Sequence, residues 1–409
     1  MALLKLALLF VGIVILLTRK WNLGLVLVVA SLAIGPLFSY SLIDVASDIY
    51  LASRDYLTLR LALIVILIMV LGELLRQTEG LSQTVKALEN LIPNGRIVIA
   101  AMPALVGLLP MVGGAMFSAP MVDEVGERLG VDRSRRTFVN YWFRHIWEPI
   151  FPLYPSMILA AGLLEISPSH LIRATWPITV AAIAGGFLFG LLGLSRRSDE
   201  TMSDNSRKED LRLLVSSIWP VLLVVVLSLI LNIDERFDML ISLVATIGLT
   251  MALKRVPVDV LWDIFIHRVP WETVVVIFGA MIFRRVLEES GAVVAVSQAL
   301  TAMNVPLVVV VFVVPFIPGL LTGLVAAAYS VGFPVVLPML LAGDQSLTLG
   351  WIVWLVAGGI TGVMCSPMHL CLALTRAYFK ASWGAVYRFI VPSALLSFGL
   401  SLAAFLLRR

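Results

Sequence analysis

Twice along this chain, about two hundred residues apart, an apolar stretch of membrane-spanning length is interrupted near its middle by Pro, Gly and Ser. The first copy reads LLPMVGGAMFSAP (Leu108 to Pro120) followed by HIWEPIFPLYPS (His145 to Ser156). The second reads FIPGLLTGLVAAAYSVGFP (Phe316 to Pro334) followed by GVMCSPMHL (Gly362 to Leu370). Lipid offers no hydrogen bonds to the backbone groups freed at such breaks, so they must be satisfied by protein or face a water-filled cavity. Paired interruptions in corresponding places of two halves point to the binding site of a secondary transporter.

Composition agrees with a bilayer environment: 60% of residues are hydrophobic, 14% are charged, and mean hydropathy is +1.00. Soluble domains carry about 25% charged residues. The first apolar run, Leu3 to Thr18, lacks a small-residue cleavage site and reads as a retained span. The two cysteines, Cys365 and Cys371, both fall in the last broken segment, so no disulfide framework is expected. The net charge of +4 is spread over loops, with no basic helix or aromatic platform for nucleic acid. Its partners are instead a lipid bilayer and a small-molecule or ion substrate.

Runs of about 17 to 25 apolar residues, enough to cross the hydrocarbon core, recur in two series. They lie at 2–18, 22–39, 59–76, 137–164 and 170–194, then at 212–231, 237–253, 270–286, 349–376 and 385–407. Between the third and fourth member of each series an extra Gly/Pro-centred stretch, 95–128 or 305–341, reads as a re-entrant hairpin. Before each hairpin runs an amphipathic segment with an early glycine, Arg76 to Pro93 with Gly80 and Leu287 to Pro306 with Gly291, suited to the interface. The expected fold is therefore an all-α membrane protein of ten transmembrane helices plus two re-entrant hairpins. Its first repeat is 1–194 (hairpin 95–128, broken helix 137–164) and its second is 212–409 (hairpin 305–341, broken helix 349–376). A charged cytoplasmic linker, 195–211, joins them.

Five spans per half would insert the second half upside down. With the N-terminus outside, twenty Lys and Arg fall in cytoplasmic loops and nine outside, leaving Arg144 within a span. That bias obeys the positive-inside rule.

These hairpins and broken spans resemble the ion transporter superfamily, which includes divalent-anion/sodium symporters, citrate and gluconate permeases and arsenite or sodium/proton antiporters. More closely, LPMVGGAMFSAP with RHIWEPIFPLYPS is similar to an uncharacterised prokaryotic integral-membrane family placed in that superfamily. The resemblance implies a multi-pass protein of the prokaryotic inner membrane, working as a homodimer by an elevator motion. It also implies convergence of Gly113 to Ser118, Glu148 to Pro149, Thr322 to Ser330 and Cys365 to His369. The Ser-Asn-Thr signatures of the dicarboxylate symporters are absent from these tips.

Glu148 is the leading candidate for chemistry. It lies between Trp147 and Pro149 in the fourth span, where a carboxyl serves either proton coupling or Na⁺ binding; the purely structural alternatives are an ion pair with Arg144 or a water-facing place at a span end. Gly113, Gly114 and Ser118 in the first tip, with Thr322, Gly323 and Ser330 in the second, offer exposed N–H groups, carbonyls and hydroxyls. Ser366 and Pro367 mark the last break. His145 and His369 are either proton carriers or core residues capped by carbonyls. Arg144 either clamps a carboxylate or snorkels to the headgroups, and Trp142 and Trp147 read as interface anchors. Gly186-x-x-x-Gly190 and Gly358-x-x-x-Gly362 read as helix-packing pairs.

The expected function is an H⁺- or Na⁺-coupled secondary transporter of a small organic anion such as a carboxylate, with no cofactor beyond its coupling ion. A cation/proton antiporter is the alternative. A metal-dependent membrane enzyme, suggested by His145-x-x-Glu148 and Cys365-x-x-x-His369, is disfavoured because Pro149 and Pro367 break the helical spacing. No nucleotide-binding or hydrolase motif occurs, so the chain is not expected to be an enzyme.

Overall fold

A computed structural model of the protein describes residues 1–78, 81–108, 114–194, 204–230, 237–341 and 347–409. All regular elements among them are helices. The first half runs α1 (Ala2–Thr18), α2 (Leu23–Phe38), α3 (Leu42–Arg54), α4 (Tyr56–Thr78), α5 (Leu81–Leu91), α6 (Gly95–Gly107), α7 (Gly114–Arg128), α8 (Arg133–His145), α9 (Pro155–Leu164) and α10 (Pro168–Gly185). The second runs α11 (Asp204–Ile230), α12 (Asp238–Lys254), α13 (Val258–Asp263), α14 (Trp271–Glu289), α15 (Ala292–Ala302), α16 (Leu307–Thr322), α17 (Val325–Leu341), α18 (Leu349–Met364), α19 (Leu370–Phe379) and α20 (Trp383–Arg408). Short π-helical turns extend α10 to Leu191 and α13 to Arg268.

Packing partners exchange between the halves. Helix α2 packs on α14 and α12 on α4; α5 packs on α11 and α15 on α1; α9 packs on α17 and α19 on α7. Each hairpin, α6–α7 or α16–α17, also packs on the broken helix of its own half.

By length and composition, Tyr56–Gln77, Pro168–Leu191, Arg207–Ser228 and Trp383–Arg408 can each cross a bilayer unaided, and Val258–Arg268 with Trp271–Glu289 makes a pair bent by 58°. Shorter apolar helices of 10–17 residues, among them α1, α2 and both arms of the second hairpin, fill the other apolar runs. Their outward faces are apolar, as lipid requires: Leu4, Leu8, Val11 and Ile15 form an exposed stripe on α1, and Trp176, Val180, Ile183 and Phe187 another on α10.

The structure shifts one boundary and adds two short helices. The expected linker 195–211 is helical from Asp204 onward, so α11 takes up its second part, while 195–203 lie outside the described residues. Helices α3 and α13 lie between the apolar runs. Ser41 starts α3 by accepting from Ile43 N at 3.2 Å, with Asp44 in the first turn where a carboxylate suits the helix dipole. Asp48 of α3 then accepts from Tyr40 Oη (2.7 Å) and Arg285 Nε (3.1 Å), tying α3 to α14. Burial and that bond to Asp48 push the Tyr40 hydroxyl up to about 12, so it stays a donor.

Glycines set the closest helix approaches. A Cβ on Gly358 would strike Phe312 O, one on Gly362 would strike Phe316 O, and one on Gly319 would lie 2.8 Å from Gly359 O, so α16 and α18 touch backbone to backbone. Gly107 holds the same relation to Arg144 O in the first half. Gly186 and Gly190 likewise make room for Trp142, Phe143 and Phe138 of α8. Gly362→Ala is thus expected to cost about 1–3 kcal/mol through overpacking, seen as a lower unfolding midpoint in detergent. Gly12→Ala, whose Cβ would meet nothing within 4 Å, serves as the neutral control.

Candidate functional site

Helix α8 stops at His145 because Pro149 and Pro152 deny the next turns their backbone donors, and the chain resumes as α9 at Pro155. The freed carbonyls find side-chain donors on the last helix of the same half: Thr179 Oγ1 donates to Ile146 O at 2.9 Å, and Thr175 Oγ1 donates to Pro149 O. The second half solves the same problem in the same way. Helix α18 ends at Met364, α19 begins at Leu370, and Tyr387 Oη of α20 donates to Cys365 O at 2.8 Å. Tyr141 Oη reaches across from α8 to Met364 O at 3.2 Å. Both interruptions are therefore satisfied by protein, as burial demands.

The two breaks meet at their histidines. His145 Nδ1 lies 2.6 Å from Tyr141 O, His369 Nδ1 lies 2.5 Å from Gly323 O, and the two Nε2 atoms are 3.0 Å apart. A carbonyl oxygen only accepts, so each Nδ1 carries a proton and the two Nε2 atoms face each other. Facing lone pairs at that distance repel unless a positive charge sits between them. Cys371 belongs to the same cluster: among the described residues, one ring nitrogen of each histidine and the Cys371 Sγ lie within 4.8 Å of one another, close enough to share a metal ion.

Beside this cluster lies a cavity of about 650 Å³, lined by His145, Glu148, Tyr154, Gly323, His369 and Cys371 on one side and by Met69, Glu73, Arg76 and Thr273 on the other. A second cavity of about 500 Å³ shares Glu148, Thr273, Gly323 and His369 and extends to Lys20, Asn22 and Glu272. Asn22 shapes that rim: its Oδ1 caps α2 at Gly24 N (2.8 Å) and its Nδ2 donates to Glu272 O (3.1 Å). Helices α9, α14 and α19 begin at the cavity wall without a side-chain cap, and α17 begins there at Val325. Four positive helix ends thus face one space. Glu148 Oε2 is buried and has no hydrogen-bond partner. Arg144 is 5% exposed and lines the same cavity. A Cβ on Gly114 would lie 2.8 Å from Arg144 Nε, so the first hairpin closes directly over the guanidinium.

Of the expected residues, His145, Glu148, Gly323 and His369 meet at the cavity, and Gly114 abuts it through Arg144. Gly113 lies outside the described residues. Ser118 is placed behind the wall, its Oγ donating to Asn140 Oδ1 at 2.6 Å while Asn140 Nδ2 donates to Thr375 Oγ1 at 3.1 Å, a chain joining α7, α8 and α19. Thr322 Oγ1 donates to Pro318 O (2.7 Å), and Ser366 Oγ accepts from Met368 N (3.1 Å). Ser330 is fully buried within α17, Pro149 accepts from Thr175, and Pro367 is exposed. Arg144 does not snorkel, and Trp142 and Trp147 are not interface anchors: their indole N–H groups donate to Ala182 O (2.8 Å) and Ala104 O (3.0 Å) inside the protein. Sequence reasoning passed over Cys371, Tyr141, Thr175, Thr179 and Tyr387. Only the last three carried a signal, as isolated hydroxyls in otherwise apolar spans.

The sequence profile of the family described as "Protein of unknown function (DUF401)" matches residues 2–407, and the chain belongs to that family. No curated protein matches the chain. Among solved structures, the YdaH transporter of Alcanivorax borkumensis, whose crystal structure is described as revealing an unusual topology, superposes with a TM-score of 0.58 at 16% identity. The match covers 87% of this chain and 86% of that one, so the two share a multi-pass helical membrane fold.

Proposed function

We propose that this member of the DUF401 family is an ion-coupled secondary transporter of a small organic anion, with H⁺ or Na⁺ as the coupling ion. The observation that carries the reading is the cavity itself, where four helix N-termini and Arg144 surround a space lined by a carboxyl, Glu148, whose Oε2 is buried without a hydrogen-bond partner. Helix ends and a guanidinium attract a carboxylate, and at about 650 Å³ the space suits a small molecule. The buried Arg144 favours an anionic substrate over a cation/proton antiporter. Likeness of fold to a transporter supports transport over enzyme chemistry.

In this reading the halves form an inverted repeat of ten spans and two hairpins, a branch of the ion transporter superfamily. Hairpins and broken helices form the unit that moves past a scaffold by an elevator step. The exchanged pairs α2 with α14 and α12 with α4 build the scaffold. Helices α10 and α20 travel with the moving unit, because Thr175, Thr179 and Tyr387 hydrogen-bond the breaks. The cavities reach Lys20, Arg76 and Arg268, which the loop-charge bias assigns to the cytoplasm, so this conformation faces inward. The protein works as a homodimer in the prokaryotic inner membrane.

Proteoliposomes with imposed H⁺ or Na⁺ gradients are expected to accumulate one of a panel of labelled mono- and dicarboxylates above the passive level. Gradient-driven cation exchange with no organic acid moved would replace this reading with the antiporter.

A further inference from the structure

We propose that His145, His369 and Cys371 form a binding site for a zinc-class divalent d-block cation, held between the two halves of the chain at the cavity wall. Metal-ligating histidines characteristically give their other N–H to a carbonyl or carboxylate, which fixes the tautomer and aims the free lone pair. Both histidines here do so, through Tyr141 O and Gly323 O, with hydrogen bonds of 2.6 and 2.5 Å. The aimed lone pairs converge, Nε2 to Nε2, at 3.0 Å. A tetrahedral ion with metal–nitrogen bonds of about 2.0–2.1 Å spaces two such nitrogens roughly 3.3–3.4 Å apart, so the rings need separate by only a few tenths of an ångström.

The third donor decides between ligands. A shared proton would account for two nitrogens and would leave the sulfur without a role. One ring nitrogen of each histidine and Cys371 Sγ lie within 4.8 Å of one another, an N₂S set of the kind that borderline-soft cations select. Cys365, the partner that sequence spacing pointed to, instead lies on the far side of the break, where Tyr387 takes its carbonyl. All three donors line the 650 Å³ cavity, which supplies an entry path, and three protein ligands leave a fourth position for water or an anionic group. Binding must release a proton as the thiol becomes a thiolate.

The site stands apart from the transport reading, and its test needs no gradient. Full-length protein purified in detergent and stripped with a chelator is titrated with Co²⁺, a spectroscopic stand-in for Zn²⁺. Expected are one saturable Co²⁺ per chain, a thiolate-to-metal charge-transfer band in the near ultraviolet, proton release, and competition by Zn²⁺. Cys371→Ser, close to isosteric, should remove the charge-transfer band. His369→Gln should weaken binding roughly tenfold or more. Unfolding midpoints of the metal-free variants guard against misfolding. Absence of saturable binding by the folded wild-type protein overturns the proposal. So does a band that survives Cys371→Ser, or a ¹⁵N-histidine spectrum showing a proton shared between the two Nε2 atoms that Co²⁺ fails to displace.

Discussion

Glu148→Gln is expected to abolish gradient-driven accumulation while leaving the protein folded and able to bind substrate. Glutamine keeps the shape and one carbonyl oxygen, so the packing of the break between α8 and α9 is undisturbed. What disappears is the ability to alternate between charged and neutral forms. Glu148 Oε2 is buried without a hydrogen-bond partner, a state costly for a carboxylate and tolerable for a group that takes up a proton or Na⁺ in each cycle. A carrier fixed in its neutral form should still exchange labelled for unlabelled substrate across a membrane at equal pH on both sides. Net uptake driven by a pH or Na⁺ gradient should fall to the passive level, and the pH dependence of exchange should flatten. If accumulation and its ion dependence persist in the variant, Glu148 has no part in coupling.

Much of the frame was legible because bilayer physics writes itself into local composition. The hairpins, the two broken helices and the amphipathic segments before each hairpin all announce themselves through Pro, Gly and apolar length, and helices appear in each place. Helices α3 and α13 were not legible as membrane-length runs because they are short. The signal for α3 was a cap, Ser41 with Asp44, which an apolar-run reading passes over. The candidate site was half legible. Glu148, His145, Gly323 and His369 stood out as polar or flexible residues at breaks, and the structure brings them to one wall. What no single-sequence pattern states is pairing across the halves: that His145 would face His369 over 224 positions of chain, or that Cys371 and not Cys365 would turn toward them. Those contacts are set by how the two halves cross, a tertiary quantity with no local code. Arg144 illustrates the same limit, since a span-end arginine and a cavity arginine look alike until the hairpin that covers it is placed.

The second hairpin tip offers a test in which two glycines with nearly the same backbone give different results. Gly323 sits at φ +68° and ends α16 in the left-handed region, and Gly291 turns the chain at φ +70° between α14 and α15. Alanine at either position costs about 1–2 kcal/mol for the left-handed backbone alone. At Gly291 that is the whole cost, since an added Cβ would meet nothing within 4 Å. At Gly323 the Cβ would lie 2.5 Å from both Cα and N of His369, backbone atoms that cannot rotate away, adding about 1–3 kcal/mol of overpacking. The displacement also falls on the carbonyl that orients His369 Nδ1, at a residue lining both cavities. Gly323→Ala is therefore expected to lower the unfolding midpoint more than Gly291→Ala and to remove transport, whereas Gly291→Ala keeps transport near the wild-type rate. Equal losses of stability and of transport in the two variants would mean that the tip is not packed against the second break, and that Gly323 is retained only for its turn.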